Sequence, residues 1–260
     1  MPSIGVFDSG VGGLTVVRAL RRRLPAESFL YLGDTARLPY GTKSARTVAR
    51  YTERNVSHLV DRGVKAIVVA CNSASATGLA HLDSPVPVWG VIEPGARTAA
   101  ERCATSVGVI ATEATVRSGV YERAIMAHRP KLEVTSRACP LFVPLVEEGW
   151  EADGVAEAVA RRYLTPLVRR GIDTLVLGCT HYPLLSPVLA RVAGNNIQLI
   201  DSAEAIAETV AASLEELSLR AQERDGPHRL LVTDDSPRFG RLARRILGPD
   251  AELEQVDLLV

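Results

Sequence analysis

Two of the four cysteines, Cys71 and Cys179, occupy matching positions in the sequence and could work as a pair. Residues 62–73 align without gaps on residues 170–181, at an offset of 108 residues, and each segment contains an apolar run that ends at its cysteine. A thiolate can remove a proton and a thiol can donate one. The repeated pattern therefore predicts acid–base chemistry at two matched sulfur atoms.

The residues that follow each cysteine favour the start of a helix. Asn72-Ser73 follow Cys71 and Thr180-His181 follow Cys179, and such side chains commonly cap helix N-termini. The positive potential at a helix start lowers the pKa of a thiol, so we expect both cysteines to ionise readily. Two thiols on opposite faces of one carbon suit racemisation, because one removes the proton and the other delivers a proton to the opposite face.

Other interpretations of the cysteines have to be weighed against this one. A lone free cysteine is usually a small buried hydrophobe, and Cys103 and Cys139 fit that description. A redox pair is a competing interpretation of Cys71 and Cys179, but disulfide oxidoreductases usually carry a CxxC motif, which this sequence lacks. The mutual match of Cys71 and Cys179 favours acid–base chemistry.

A glycine-rich turn, FDSGVGGLT at residues 7–15, follows the first strand-like segment. Such turns often bind phosphate, but this one lacks the Walker lysine and the GxGxxG spacing, and Asp8 would repel an anion. The Asp8 carboxylate suits a substrate amino group better. The alternative is a tight turn in which Asp8 only caps the helix. Residues 34–41, DTARLPYG, would alone indicate an ordinary turn.

Short apolar runs alternate with helical periodicity along the whole chain, which is typical of parallel sheets flanked by helices. Gly63 and Gly171 each stand where a helix should end before the next strand. The predicted strands are 3–8, 28–33, 66–71, 87–92, 106–111, 132–136, 174–179, 197–201, 229–234 and 252–257. The predicted helices include 13–23, 44–62, 73–82, 117–127, 152–170, 203–222 and 237–247.

The internal repeat extends beyond the cysteine segments. Residues 91–93 fall on 199–201 at the same offset, and residues 4–7 resemble 107–110 at a slightly shorter one. Helix–glycine–strand units resemble each other in any α/β protein, but that does not explain a cysteine followed by small polar residues at both strand ends. The repeat predicts two similar α/β domains, each with a cysteine at the end of its third strand.

Composition excludes several classes of protein. The 260 residues are 47% hydrophobic, and 30 basic side chains balance 30 acidic ones, so no overall field favours nucleic acid or an anionic membrane. No apolar run approaches the roughly 20 residues of a membrane-spanning helix. The N-terminus runs directly into a strand, so we expect no signal peptide, and we expect a reduced, cytoplasmic protein.

Taken together, these stretches resemble the glutamate racemases of the aspartate/glutamate racemase superfamily. The segments that carry the resemblance are residues 7–15, 34–41, 70–75, 91–95 and 177–185. The resemblance implies two pseudo-symmetric α/β domains, each a mostly parallel sheet flanked by helices, with the active site in the cleft between them. It also implies that the C-terminal segment returns to the first domain, so that residues 1–92 plus 205–260 form one domain and 93–204 the other.

The resemblance also implies roles for individual residues. Cys71 and Cys179 match the two proton donor/acceptors, and Asp8 and His181 are expected to assist them. The residues that match substrate contacts are Asp8, Ser9, Tyr40, Gly41, Asn72, Ser73, Thr180 and His181. Ser73 departs from the threonine that is usual there but keeps the hydroxyl. Further candidates are Asp34, Thr115 and Glu147; Glu147 could equally be a solvated carboxylate at a helix end.

By this resemblance we expect interconversion of L- and D-glutamate without pyridoxal phosphate, metal or nucleotide, to supply D-glutamate for peptidoglycan. The expected partner is the small-molecule substrate, with neither nucleic acid nor membrane, and the resemblance implies a homodimer. One alternative is a racemase of another amino acid such as aspartate. Another is a non-catalytic, two-lobed amino-acid-binding protein, which would have no use for matched cysteines.

Overall fold

Parallel strands form the scaffold of the protein. The structure, a computed structural model, describes residues 2–79 and 82–258. Within these ranges the strands are β1 (Ile4–Asp8), β2 (Phe29–Gly33), β3 (Ala66–Val69), β4 (Val88–Gly90), β5 (Ser106–Ala111), β6 (Glu133–Ala138), β7 (Thr174–Gly178), β8 (Gln198–Asp201), β9 (Arg229–Val232) and β10 (Glu254–Gln255).

The helices alternate with the strands, as the periodicity predicts. They are α1 (Leu14–Arg23), α2 (Ala45–Asp61), α3 (Asn72–Gly78), α4 (Ile92–Arg102), α5 (Glu113–Ser118), α6 (Val120–His128), α7 (Phe142–Glu147), α8 (Gly154–Val168), α9 (Ser186–Ala193), α10 (Ser202–Glu216) and α11 (Pro237–Leu247). Short 3₁₀ turns cover Thr35–Arg37, Tyr40–Thr42 and Tyr182–Leu185.

The strands pair in two separate parallel sheets. The first has the order β10-β9-β2-β1-β3-β4 and the second the order β6-β5-β7-β8. Helices cover both, and the central strands β1 and β7 are buried along their whole length. The predicted α/β class with two mostly parallel sheets is confirmed. The C-terminal strands β9 and β10 extend the first sheet beside β2.

The register of strand pairing shows how the two sheets correspond. Ile4 pairs with Ala66 in the first sheet, and Val107 pairs with Thr174 in the second. Because Ala66 and Thr174 are 108 residues apart, the alignment of 62–73 on 170–181 is confirmed, and residues 4–7 correspond to 107–110 as predicted. The two cysteines therefore lie at equivalent points of two similar sheets.

One part of the predicted repeat is wrong. Ile67 pairs with Val88, whereas its counterpart Leu175 pairs with Leu199. The equivalent residues are therefore Val88 and Leu199, so the match of residues 91–93 to 199–201 is three residues out of register. The reason is that β4 ends at Gly90 and α4 begins at Ile92, whereas β8 continues to Asp201.

Several predicted boundaries also needed correction. The predicted helix 117–127 is two helices, α5 and α6, separated by Gly119 in the left-handed conformation at φ 62°. The predicted helix 203–222 ends at Glu216. The predicted helix 73–82 is α3, and residues 80 and 81 lie outside the described ranges. By contrast, Gly63 and Gly171 end their helices at φ 72° and 76°, as predicted.

Candidate active site

Cys71 and Cys179 line one small cavity at the carboxyl ends of the strands, where ligands bind in open parallel sheets. Its volume is about 120 Å³, which suits a molecule much smaller than a drug-sized ligand. Residues from both sheets form its wall: Ser9, Pro39, Tyr40, Gly41, Thr42, Cys71, Asn72, Ser73, Thr112, Glu113, Pro140, Val143, Pro144, Cys179, Thr180 and His181.

Cys71 stands at the N-cap of α3, as predicted, with its thiol almost fully buried. Its Sγ atom donates to the Ser9 hydroxyl over 3.4 Å. Burial, together with the nearby Asp8 carboxylate, raises the pKa of Cys71 to about 12. The expectation of a lowered pKa at this thiol is wrong, because the short helix α3 supplies less stabilisation of a thiolate than burial and a neighbouring negative charge remove.

Cys179 directly follows β7 and is paired with a histidine. No α-helix starts here: the chain enters the 3₁₀ turn Tyr182–Leu185, so the predicted helix start at Cys179 is wrong. Its Sγ atom lies 3.9 Å from His181 Nδ1. Burial alone would lower the pKa of His181, but Cys179 and Glu147 outweigh it and raise that pKa to about 10.

Glu147 lies on the far side of His181 from the sulfur. Its Oε1 atom is 3.3 Å from His181 Nε2, within ion-pair distance but without the alignment of a hydrogen bond. Burial opposes ionisation of Glu147, but His181 and Arg238 hold its pKa below the usual value. Its side chain is only 12% exposed and does not line the cavity. Glu147 does end a helix, α7, as one interpretation predicted, but its carboxylate is not solvated.

Asp8 is fully buried behind the cavity wall. Its Oδ2 atom accepts from the backbone N–H groups of Gly10 and Gly13, both at 3.0 Å, and its Oδ1 atom accepts from the Thr180 hydroxyl at 3.3 Å. Burial raises its pKa, although the His181 charge opposes that shift. Asp8 thus holds the tight turn, as the alternative interpretation predicted, and also contacts the loop that carries Cys179.

Asn72 and Ser73, which follow Cys71, contact side chains from the part of the chain that contains the second sheet. The Tyr121 hydroxyl donates to Asn72 Oδ1 over 2.7 Å, and Asn72 Nδ2 is buried without a protein partner. The Ser73 hydroxyl lies 2.9 Å from that of Thr112 and 3.4 Å from that of Thr115. Thr115 is buried and outside the cavity wall, so it supports Ser73 and Thr112 and does not face the cavity.

The turn after β2 contributes Tyr40 and Gly41 to the cavity wall. The Tyr40 hydroxyl donates to Asp34 Oδ2, which also accepts from Asn55 Nδ2 at 3.2 Å. Asp34 is fully buried and does not line the cavity, so it anchors Tyr40 from behind. At Gly41, a Cβ atom would lie 2.7 Å from Thr112 Cβ, which explains the glycine at this close approach.

Sequence reasoning missed part of the wall, chiefly Thr112, Glu113, Pro140, Val143 and Pro144. A signal for the first of these existed. At the shorter offset that relates Ile4 to Val107, Ser9 corresponds to Thr112, so Thr112 is the repeat counterpart of a predicted site residue. The residues after β6 occupy the place of those after β2, but nothing in their types indicates chemistry.

The described residues contain no group of three or more histidine, cysteine, aspartate or glutamate side chains that could hold a metal ion. All four cysteines are free. The three lysines, Lys43, Lys65 and Lys131, lie outside the cavity wall. Among helices within 2–79 and 82–258, none is long and apolar enough to cross a membrane.

The parallel sheets and the small cavity lined by two thiols define an α/β enzyme that acts on a small molecule. The model of the Asp/Glu/Hydantoin racemase family matches residues 4–210. The chain belongs to this family of isomerases.

Individual relatives narrow the comparison. A glutamate racemase from Geobacter metallireducens is 52% identical over 95% of this chain and 93% of its own. The crystal structure of a glutamate racemase from Bacillus anthracis matches with a TM-score of 0.95 at 40% identity, over 99% of this chain and 98% of that one. A Francisella tularensis glutamate racemase in complex with D-glutamate matches with a TM-score of 0.92 at 37% identity, over 99% and 98%.

Proposed function

We propose that the protein interconverts L- and D-glutamate, with Cys71 and Cys179 as its two proton-transfer groups. One observation carries the proposal: equivalent cysteines from two similar sheets line the same small cavity. Racemisation requires a group on each face of the α-carbon, because either enantiomer must serve as substrate. A duplicated scaffold supplies two such groups in matching positions.

In each turnover one sulfur is a thiolate and the other a thiol. The thiolate removes the α-proton, and the thiol delivers its own proton to the opposite face, so the negative charge passes from one sulfur to the other. The family resemblance assigns Cys179 to L-glutamate and Cys71 to D-glutamate. Burial and the nearby Asp8 carboxylate raise the pKa of Cys71, whereas His181 lies beside Cys179.

The cavity wall offers donors for the substrate carboxylates. Asn72 Nδ2 is buried without a partner, and Ser9 and Ser73, which also line the wall, carry hydroxyls. We propose that Asn72 and these hydroxyls bind carboxylate oxygens, while Tyr40 and Gly41 close the opposite wall. Asp8 lies behind Thr180, so we assign it to orienting that residue and to disfavouring charge on Cys71, and not to direct contact with the substrate amino group.

A turnover near 10 per second requires a barrier of about 16 kcal/mol. The α-proton of an amino acid is far less acidic than a thiol, so positioning and stabilisation of the carbanion have to supply most of the reduction. A small cavity lined by several polar side chains suits both tasks. The relatives at 37–52% identity are named glutamate racemases, and the Francisella structure holds D-glutamate, which supports glutamate as the substrate.

The D-glutamate formed would serve peptidoglycan synthesis, and the protein would act as a homodimer in the cytoplasm. We also propose the domain division 1–92 plus 205–260 and 93–204. The pairing of β9 with β2 in the first sheet supports it.

The experiment that tests the proposal follows optical rotation with the purified protein. L-glutamate, L-aspartate and L-alanine are incubated separately, and we expect rotation to decay to zero with glutamate alone. Decay with aspartate in place of glutamate would favour a different racemase. Binding of glutamate without any change in rotation would favour a two-lobed binding protein.

A further inference from the structure

We propose that Arg238 is a positioning residue for the Cys179 half of the reaction, acting through Glu147 on His181. The inference rests on the proposed two-cysteine racemisation. Arg238 lies on α11, in the C-terminal segment, whereas Glu147 ends α7, which lies between β6 and β7 of the second sheet. No sequence motif connects these residues, which are 91 positions apart.

Arg238 holds Glu147 at two points. Its Nη2 atom lies 3.1 Å from Glu147 Oε2, and its Nε atom donates to the Glu147 backbone carbonyl over 3.0 Å. Its Nη1 atom lies 3.0 Å from Glu148 Oε1. The guanidinium therefore fixes both the end of α7 and the direction of the Glu147 carboxylate. A planar fork of donors is suited to such a contact, and a lysine ammonium is not.

The fixed carboxylate in turn faces His181. Glu147 directs Oε2 at Arg238 and Oε1 at His181 Nε2, so one carboxylate is shared by two cations. The titratable groups around His181 are Cys179 on its own loop, Glu147 on α7 and Asp8 at the end of β1. Without Arg238, Glu147 would lose its second partner and its fixed rotamer, and the orientation of His181 beside Cys179 would be less constrained.

The effect should be confined to one face of the substrate. Cys71 contacts Ser9 and is influenced by Asp8, and the Arg238 contacts include neither residue. Racemisation rates cannot reveal this asymmetry by kcat/KM, because the enantiomers have equal free energy and kcat/KM must stay equal in both directions. An irreversible reaction that needs only proton removal can reveal it. Elimination of chloride from the two enantiomers of β-chloroalanine is such a reaction.

The experiment first defines the two faces with serine variants. The enantiomer that Cys71→Ser still eliminates and Cys179→Ser does not is the one served by Cys179. Arg238→Gln should slow elimination from that enantiomer roughly five- to tenfold, because a partly exposed charged contact is lost, and should leave the other enantiomer unchanged. Arg238→Lys should show a smaller loss on the same enantiomer, and it carries the test if Arg238→Gln does not fold.

Arg245→Gln is the matched control. Arg245 lies on the same helix, donates to the Val146 carbonyl at 3.3 Å and pairs with Glu151 at 2.8 Å, yet it does not contact the Glu147 carboxylate. We expect Arg245→Gln to eliminate chloride from each enantiomer at the wild-type rate for that enantiomer. Equal losses on both enantiomers in Arg238→Gln, no loss at all, or the same asymmetry in Arg245→Gln would overturn the inference. A wild-type protein that neither racemises glutamate nor eliminates chloride would instead overturn the proposed function.

Discussion

The hydroxyl of Thr180 donates to Asp8 Oδ1 over 3.3 Å, so the loop that carries Cys179 is tied to the end of β1. The Thr180 backbone carbonyl accepts a second bond from the Thr15 hydroxyl at 3.0 Å. Each of these bonds joins two residues that are more than 160 positions apart in the sequence and lie on opposite sides of the cleft. The glycine-rich turn is thus a docking point for the second half of the site, which a phosphate-binding interpretation would not explain.

Gly12 is the residue where this docking is tightest, and we expect Gly12→Ala to inactivate the enzyme. An added Cβ would lie 2.4 Å from His181 Nδ1 and 2.6 Å from Thr180 Oγ1, so the loop beside Cys179 would have to move. A displacement of about 1 Å at a catalytic group can lower the rate about a hundredfold. Gly10→Ala is the matched control. The racemisation rates of the two variants are compared, and thermal unfolding checks that both are folded. At Gly10 the added atom would make only ordinary contact, 3.6 Å from Leu38 Cδ2. Equal activities would contradict the prediction.

The raised pKa of His181 predicts a specific dependence of stability on pH. Burial opposes protonation, but Cys179 and Glu147 raise the folded pKa from 6.5 to about 10. A group whose pKa is raised by folding stabilises the protein fully below its unfolded pKa, and that contribution is lost as pH rises through the folded value. The advantage of the wild type over His181→Asn in free energy of unfolding should therefore shrink between pH 6.5 and about 10. Denaturant titrations at both limits measure it, and a constant difference would show that His181 does not gain a proton-dependent partner.

Tyr121 lies outside the cavity wall, but we expect loss of its hydroxyl to weaken substrate binding. Its hydroxyl holds Asn72 Oδ1 and thereby leaves Nδ2 directed away from Tyr121 as a free donor. Tyr121→Phe should raise KM for glutamate by roughly three- to tenfold, the value of one hydrogen bond, with a smaller change in kcat. Initial rates in both directions provide the measurement. Tyr163→Phe is the control, since Tyr163 is also an aromatic residue of the second half but contacts Leu141 and not Asn72. A fall in kcat with KM unchanged would assign Tyr121 a different role.

We expect activity to be independent of added cofactors. A Schiff base with pyridoxal phosphate needs a lysine at the site. Lys65 pairs with Glu27 at 2.7 Å, and neither Lys43 nor Lys131 is in the cavity wall. The purified enzyme should lack the absorbance of pyridoxal phosphate near the edge of the visible range and retain full activity in EDTA. Activity that disappears on dialysis and returns with pyridoxal phosphate would refute this.

The sequence was most informative where chemistry and topology coincide. Cys71 and Cys179 could be identified because each ends a strand at the same point of a repeat, and strand ends of parallel sheets share one edge. Their neighbours Asn72, Ser73 and Thr180 were predicted site residues because they match the family's substrate contacts. The parallel α/β class followed from the alternation of apolar runs and helical periodicity.

Other properties depend on three-dimensional contacts that no local pattern encodes. The raised pKa of Cys71 comes from burial and from Asp8, which is 63 positions away in the sequence. Arg238 reaches Glu147 only because α11 packs near α7. The helices α4 and α9 escaped prediction because each has a proline within its first turn, which in a sequence looks like a break.

The last prediction tests the division of labour between the thiols. Cys71→Ser and Cys179→Ser should each lower racemisation by roughly a hundredfold to ten-thousandfold, the range for loss of one general acid–base group, because every turnover uses both sulfurs. Proton removal should survive on one face only. Cys179→Ser should still exchange the α-proton of D-glutamate with solvent deuterium, and Cys71→Ser that of L-glutamate, as NMR can follow. Cys103→Ser and Cys139→Ser are matched controls, since both thiols are buried outside the cavity wall and should racemise glutamate normally. If either active-site variant racemised glutamate near the wild-type rate, a single base would be serving both faces and the paired-thiol mechanism would have to be abandoned.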